Sequence, residues 1–151
     1  MIDIPLPHHG PARWIDRLLE ADAEHALAEC DVPAAGRLVA GGVMPAWAGV
    51  ELMAQTVAAW AGARAQRAGR PVRLGFLLGA RRYEAHCDGF IGGSTLRIAA
   101  HCDFVSDAGL GMFSCSIHCA DVLLAQAQVS VFEPADATPY LNGQSAGTRD
   151  G

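Results

Sequence analysis

The chain has 151 residues, 51% of them hydrophobic and 18% charged, and a formal net charge of -5. That length and apolar content suit one globular domain with a sizeable core, and leave little room for a second. The acidic balance excludes a nucleic-acid binder working through a cationic face, which has to displace counterions from phosphates.

The opening MIDIPLPHHGP has no basic segment followed by an apolar run and a small-residue cleavage site, so a cytoplasmic location is expected. Residues 17–21 and 25–32, joined through Asp22-Ala23-Glu24, read as a hairpin with Ala28, Cys30 and Val32 on its inner face. Gly36, Gly41 and Gly42 then mark a glycine-rich loop ending at Met44-Pro45, where a proline suits the first turn of a helix. A long helix is predicted from there to about Ala68, stopped by Gly69-Arg70-Pro71. Its first part, PAWAGVELMAQTVAAWAGA, is apolar almost all the way round, yet it carries Glu51, with Gln55 one turn later.

Four strands follow in VRLGFLLGARRYEA, STLRIAAHCDFV, LGMFSCSIHCA and VLLAQAQVSVFE. Turn signals separate them at Asp88-Gly89, Gly92-Gly93, Asp107-Ala108-Gly109 and Ala120-Asp121. Leu96, Ile98, Ala100, Cys102 and Phe104 alternate with Arg97, His101 and Asp103, and Phe113, Cys115, Ile117 and Cys119 alternate with Ser114, Ser116 and His118. Residues 1–133 read as one domain, and residues 134–151, polar, small or proline, as a flexible tail. The five cysteines lack the tight spacing of a structural zinc site, so they read as reduced thiols, Cys115 and Cys119 as small core residues, and no metal is expected.

A hairpin, a helix hydrophobic on all sides and four more strands have one economical arrangement, a sheet curled around the helix. This is the α+β hotdog fold, an antiparallel sheet wrapped around one long buried central helix. A membrane span is the competing reading of residues 44–63, and Glu51 and Gln55 in mid-span, with no second span, count against it.

The segments LPHHGPARWIDRLLEAD, MPAWAGVELMAQ and GFLLGARRYEAHCDGFIGGSTLRIAA resemble, in order and spacing, the 3-hydroxyacyl-acyl-carrier-protein dehydratases of fatty-acid synthesis. The wording of the helix is most similar to the dehydratase-like branch of aryl polyene clusters. The resemblance implies a hotdog dimer with the active site between subunits, in which Glu51 acts on the substrate's 3-hydroxyl and a histidine from the other subunit removes the C2 proton. The roles are chemically sound: the C2 proton needs a positioned base, and hydroxide leaves only when a proton accompanies it. Burial favours the neutral, proton-donating form of a carboxyl group. Gln55 lies on the same helix face, where it either fixes the carboxylate through an amide hydrogen bond or satisfies a backbone carbonyl. Backbone N–H groups at the helix start or in Gly41-Gly42, with Val43 and Pro45 beside them, are expected to bind substrate and polarise the thioester carbonyl.

One part of the family pattern is missing. The dehydratase histidine stands in a G-H-F-P-G segment ahead of the carboxylate; the matching position here is Arg37, within AAGRLVAGG, and no histidine lies between His25 and His86. Three readings remain. His8, which matches the histidine of the family's P-H-R segment, or its neighbour His9, serves as the base. Alternatively the chain is a non-catalytic or half-site partner of a heterodimeric dehydratase. In the third reading it is a hotdog thioesterase, with Glu51 acting on water or on the acyl carbon.

The chain has no lysine, and no Asp or Glu interrupts the run holding Arg64, Arg67, Arg70, Arg73, Arg81 and Arg82. This block reads either as a basic rim that steers an acidic acyl carrier protein or coenzyme A phosphates, with Arg81 and Arg82 contacting them, or as helix-dipole and turn residues. No nucleotide-binding glycine motif is present, so no cofactor is expected. The predicted partner is an acyl carrier protein or CoA thioester, with a second subunit that is either identical or a related dehydratase.

Overall fold

The computed structural model describes residues 13–36, 38–70 and 76–133. His8, His9, Arg37, Arg73 and the segment 134–151 lie outside the described residues. Strands β1 (Arg17–Ala21) and β2 (His25–Asp31) form the expected hairpin. Its turn is held by the Asp22 carboxylate, which accepts the N–H groups of Glu24 at 2.9 Å and His25 at 2.7 Å. There follow β3 (Val43–Pro45), α1 (Ala48–Arg67), β4 (Phe76–Ala85), β5 (Gly89–Ile91), β6 (Thr95–Val105), β7 (Leu110–Cys119) and β8 (Val122–Phe132). The larger sheet has the order β1-β2-β6-β7-β8-β4, antiparallel throughout, and β3 pairs with β5 as a separate two-stranded ribbon.

Helix α1 contacts every strand of the larger sheet, which therefore wraps around it. Leu52, Met53, Val57 and Trp60 meet Leu96, Ile98, Phe113, Ile117 and Val129 in one core, each no more than 3% exposed. Full burial of such side chains contributes about 1.5–3 kcal/mol each, which is what holds the sheet closed. No described helix is long and apolar enough to cross a membrane.

Three details depart from the sequence reading. Pro45 is not in the first turn of the helix; it ends β3, and α1 begins at Ala48. The reason is that Met44 pairs with Phe90 and both are fully buried, which draws residues 43–45 into extended backbone before the helix can start. Strands β3 and β5 were not foreseen, because three-residue strands carry no readable period, and the turn signals at Asp88-Gly89 and Gly92-Gly93 hid β5. Phe104 does not continue the inner face of β6. The register with β7 shifts between Cys102 and Phe104, and Phe104 emerges 52% exposed.

The outer sheet face carries a charge ladder. Arg17 bonds Glu29 at 2.8 Å and Asp31 at 2.7 Å, and Arg97 bonds Glu29 at 3.0 Å. Hydrogen bonding from Arg17 is the main cause that holds both carboxyls below their ordinary values of 4.5 and 3.8. Below those values the unfolded chain takes up protons that the folded chain still refuses, so this contribution is present above pH 4.5 and lost as pH falls through the depressed values. Denaturant unfolding between pH 6 and 2 is expected to show a stability slope that flattens in Glu29→Gln. An unchanged slope would mean that the ladder does not contribute.

Candidate active site

Glu51 lies in the first turn of α1, the positive end of the helix dipole, where a carboxylate is favourably placed. It is half-buried rather than enclosed. Val50, Ala54, Ala58 and Ala61 are half-buried with it, and together they mark the side of α1 that the sheet does not cover.

Gln55, only 1% exposed, sits one turn further on. Its Oε1 accepts the backbone N–H of Trp14 at 2.8 Å and of Ile15 at 3.3 Å. Two backbone donors require the oxygen at that position, so the orientation of the amide is dictated. The opposite end, Nε2, then donates to Glu51 Oε1 at 3.0 Å. Of the two alternatives for Gln55, the structure has the amide bond to Glu51, and the backbone groups it satisfies are N–H donors, not a carbonyl. The bonds from Trp14 and Ile15 to Gln55 had no signal in the sequence, because the partners are some forty residues apart.

Gly41 and Gly42 form the tip of a two-residue hairpin turn between Ala40 and Val43, which exchange N–H···O bonds of 3.0 and 3.2 Å. Their φ values of +61° and +78° are the positive pair that such a tight turn requires, so both glycines have a conformational reason to be there. Val43 is exposed on the outer side of β3 beside its partner Ile91, and Pro45 is half-buried. At the start of α1, the N–H groups of Gly49 and Val50 already bond the carbonyls of Ala46 and Trp47. The indole of Trp47, four residues ahead of Glu51, is 60% exposed.

The described arginines do not form one rim. Arg64 lies over the Trp60 ring, 5.4 Å from its centroid, and Arg67 donates to the carbonyls of Ala21 and Asp22 at 2.8 and 3.1 Å. Both engage groups at the C-terminal end of α1. Arg81 and Arg82 are exposed in an irregular part of β4, beside Tyr83, whose hydroxyl reaches Ala46 at the helix's other end. A helix of 20 residues separates the two groups by most of its length of about 30 Å. The described arginines of this continuous sequence run therefore fall into two separate groups, Arg64 and Arg67 on α1 and Arg81 and Arg82 on β4.

The described histidines are His25 on β2, His86 after β4, His101 on β6 and His118 on β7. His25 and His101 are cross-strand partners with ring centroids 4.7 Å apart, on the face opposite Ala26 and Ala100. His118 pairs with Arg97 in the β6–β7 ladder, and His86 is exposed after β4. No group of three or more His, Cys, Asp or Glu side chains among the described residues is arranged to hold a metal ion. Burial pushes the Cys115 thiol up to about 12, as expected for a core residue. A cavity of about 320 Å³ lies towards the other end of α1, between Trp60, Arg64, Phe113 and Glu133, and does not include Glu51.

The sequence pattern of the ApeP-like family, described as ApeP dehydratase, matches residues 2–142. The chain belongs to the ApeP-like dehydratase family. Among solved structures, the dehydratase heterocomplex ApeI:P from Xenorhabdus doucetiae matches with a TM-score of 0.84 and 25% identity, over 92% of this chain and 93% of that one. The smu.793 protein of Streptococcus mutans, bound to acetyl CoA, matches at 0.63 with 14% identity, over 85% and 94% of the two chains. A hypothetical thioesterase with coenzyme A from Streptococcus pneumoniae matches at 0.62 with 12% identity, over 78% and 84%. The last two share the fold. No curated protein sequence matches the chain. The hotdog architecture expected from the sequence is therefore the architecture of this ApeP-like protein.

The Gln55 clamp is open to test. Gln55→Leu leaves the Trp14 and Ile15 N–H groups without this acceptor, and a loss of about 1–3 kcal/mol in urea unfolding is expected. Gln55→Glu keeps an acceptor for them but sets a second carboxylate against Glu51, so it is expected to be destabilising at neutral pH and to recover below the carboxylate range. Wild-type stability of Gln55→Leu would show that the clamp carries no weight.

Proposed function

We propose that this chain supplies the carboxylate of a dehydratase site that converts a 3-hydroxyacyl thioester into the 2-enoyl thioester, in fatty-acid or polyene-type biosynthesis. The observation that carries the reading is Glu51, oriented by a buried glutamine on the uncovered face of α1, in a chain of the dehydratase family. In the reaction a base takes the C2 proton, the released electron pair forms the C2–C3 double bond, and the C3–O bond breaks. Glu51 acts in its carboxylic-acid form, delivering its proton to the departing oxygen, which leaves as water. The thioester oxygen, where negative charge builds, is met by N–H groups ahead of Gly49 at the start of α1 or at Gly41-Gly42, with Val43 and Pro45 lining the approach. The elimination needs acid, base and a polarised carbonyl, and no cofactor.

The base comes either from His8, with His9 beside it, or from a second subunit. Trp14 is bonded to Gln55, and the six residues from there to His8 reach about 20 Å at most. The likeness to a dehydratase heterocomplex supports a second subunit, and the proposed partner is a related dehydratase chain that carries the usual histidine. The interface proposed is the β4 edge. This strand pairs only with β8 among the described residues and exposes Leu77 and Leu78, so two sheets can join there with the uncovered faces of their helices side by side. Arg81 and Arg82 would meet an acidic acyl carrier protein, or the phosphates of coenzyme A.

Dehydration can be followed by the absorbance of the enoyl thioester, with the chain alone and after mixing with a related dehydratase subunit. Glu51→Gln is expected to lower turnover about a hundredfold or more, as loss of a general acid does, and unchanged turnover would remove Glu51 from the mechanism. Loss of the lone chain's activity in His8→Ala assigns the base to this chain, whereas activity that appears only on mixing assigns it to the partner. Turnover by an isolated homodimer that survives alanine at both His8 and His9, with release of free thiol, would replace dehydration by thioester hydrolysis.

For the carrier, Arg81→Glu with Arg82→Glu is expected to impair carrier-linked substrate more than a short thioester mimic. Equal losses on both substrates would place these arginines outside carrier recognition.

A further inference from the structure

Strand β4 turns two consecutive arginines outward and the next residue inward. Its pairing with β8 is broken between Arg81, opposite Gln128, and Glu84, opposite Gln126. Within the break Arg82 takes φ +54°, a left-handed conformation that residues with a Cβ rarely adopt. Plain alternation would put Arg81 and Tyr83 on the same face. The bulge instead leaves both arginines exposed and the Tyr83 ring half-buried, packed against the core. Re-aiming a side chain is what bulges do beside functional sites.

The Tyr83 hydroxyl donates to the carbonyl of Ala46, and the same carbonyl accepts the N–H of Gly49 at 3.1 Å. One oxygen thus joins the first turn of α1 to β4. The N-cap residue Trp47 contributes no side-chain hydrogen bond to the start of the helix. Gly49 completes the fit. A Cβ there would overlap the Tyr83 hydroxyl and lie 3.0 Å from Ile117 Cδ1 and 3.2 Å from Phe90 Cζ. Burial pushes the phenol up to about 12, so it remains a protonated donor at neutral pH.

We infer that Tyr83 is a positioning residue for Glu51, its hydroxyl tying the first turn of α1 to the β4 bulge and so setting where the carboxylate meets Gln55. Its catalytic consequence rests on the dehydratase reading; its structural consequence does not. Glu51 follows Gly49 by two residues in that same turn, so a displacement of the turn is passed directly to its side chain. The Arg81–Arg82 pair, adjacent in the bulge, places the proposed carrier contact on the strand that holds the catalytic turn.

Tyr83→Phe removes one oxygen and keeps the ring. In NMR spectra of the substrate-free protein, the Gln55 side-chain amide and Glu51 carboxyl-carbon resonances are expected to move, with Tm within a few degrees of wild type. In the assembled dehydratase, kcat is expected to fall about ten- to a hundredfold with KM within about twofold, the signature of a misplaced reacting group. Gly49→Ala, which crowds the hydroxyl, is expected to move the same resonances, and the two substitutions should combine less than additively.

A lower Tm with unmoved Gln55 and Glu51 resonances would make Tyr83 a brace only and overturn the inference. Unchanged kcat with moved resonances would also overturn its role in the reaction, provided that Glu51→Gln is inactive. If Glu51→Gln retains full activity, it is the dehydratase reading that fails, and the resonances alone then decide whether Tyr83 positions the carboxylate.

Discussion

A helix that is apolar on every side cannot stand in water, and the rest of this structure answers that constraint. Six strands close around α1, and any polar side chain the helix brings into the enclosure must find a partner there, since each unmatched buried group costs about 1–3 kcal/mol. Gln55 is the case in point. It takes two backbone N–H groups from the segment ahead of β1 and gives its own N–H to Glu51. Satisfying the buried amide and orienting the carboxylate are therefore one event, and the oriented side chain lies on the face that the sheet leaves uncovered.

The two ends of α1 are anchored by different chemistry. At the C-terminal end the Trp60 indole and the Arg67 guanidinium both donate to the carbonyl of Asp22, closing the helix onto the β1–β2 turn. Trp60 is further held edge-on to Phe113, with centroids 5.3 Å apart. At the N-terminal end Tyr83 reaches Ala46 from β4. The face carrying Glu51, Ala54, Ala58 and Ala61 runs between the two anchors, lined by small residues that let another surface approach closely.

Fold and chemistry separate clearly here. Structures with 12–14% identity, among them a hypothetical thioesterase, share the wrapped helix because the packing constraint needs only the right apolar pattern. What places this chain in the ApeP-like dehydratase family is a sequence match over residues 2–142, not the fold that it shares with those structures. The same economy explains Cys30 and Cys115, which fill the sheet's inner face as small apolar residues.

By itself the sequence determined the long helix, the first hairpin, the strands β4, β6, β7 and β8, the hotdog arrangement and the Glu51–Gln55 pair one turn apart, because hydrophobic period, turn residues and one-turn spacing are local properties of the chain. Only the tertiary structure decided where α1 begins, that Phe104 leaves the core, and that residues 43–45 and 89–91 pair as a ribbon. It also decided what Gln55 bonds, that Glu51 is half-buried, and that the run of arginines divides between the two ends of the helix. The physical reason is the same in each case. A register shift, a bulge that turns Tyr83 inward, or an amide locked by N–H groups some forty residues away depends on partners that become neighbours only when the sheet has closed.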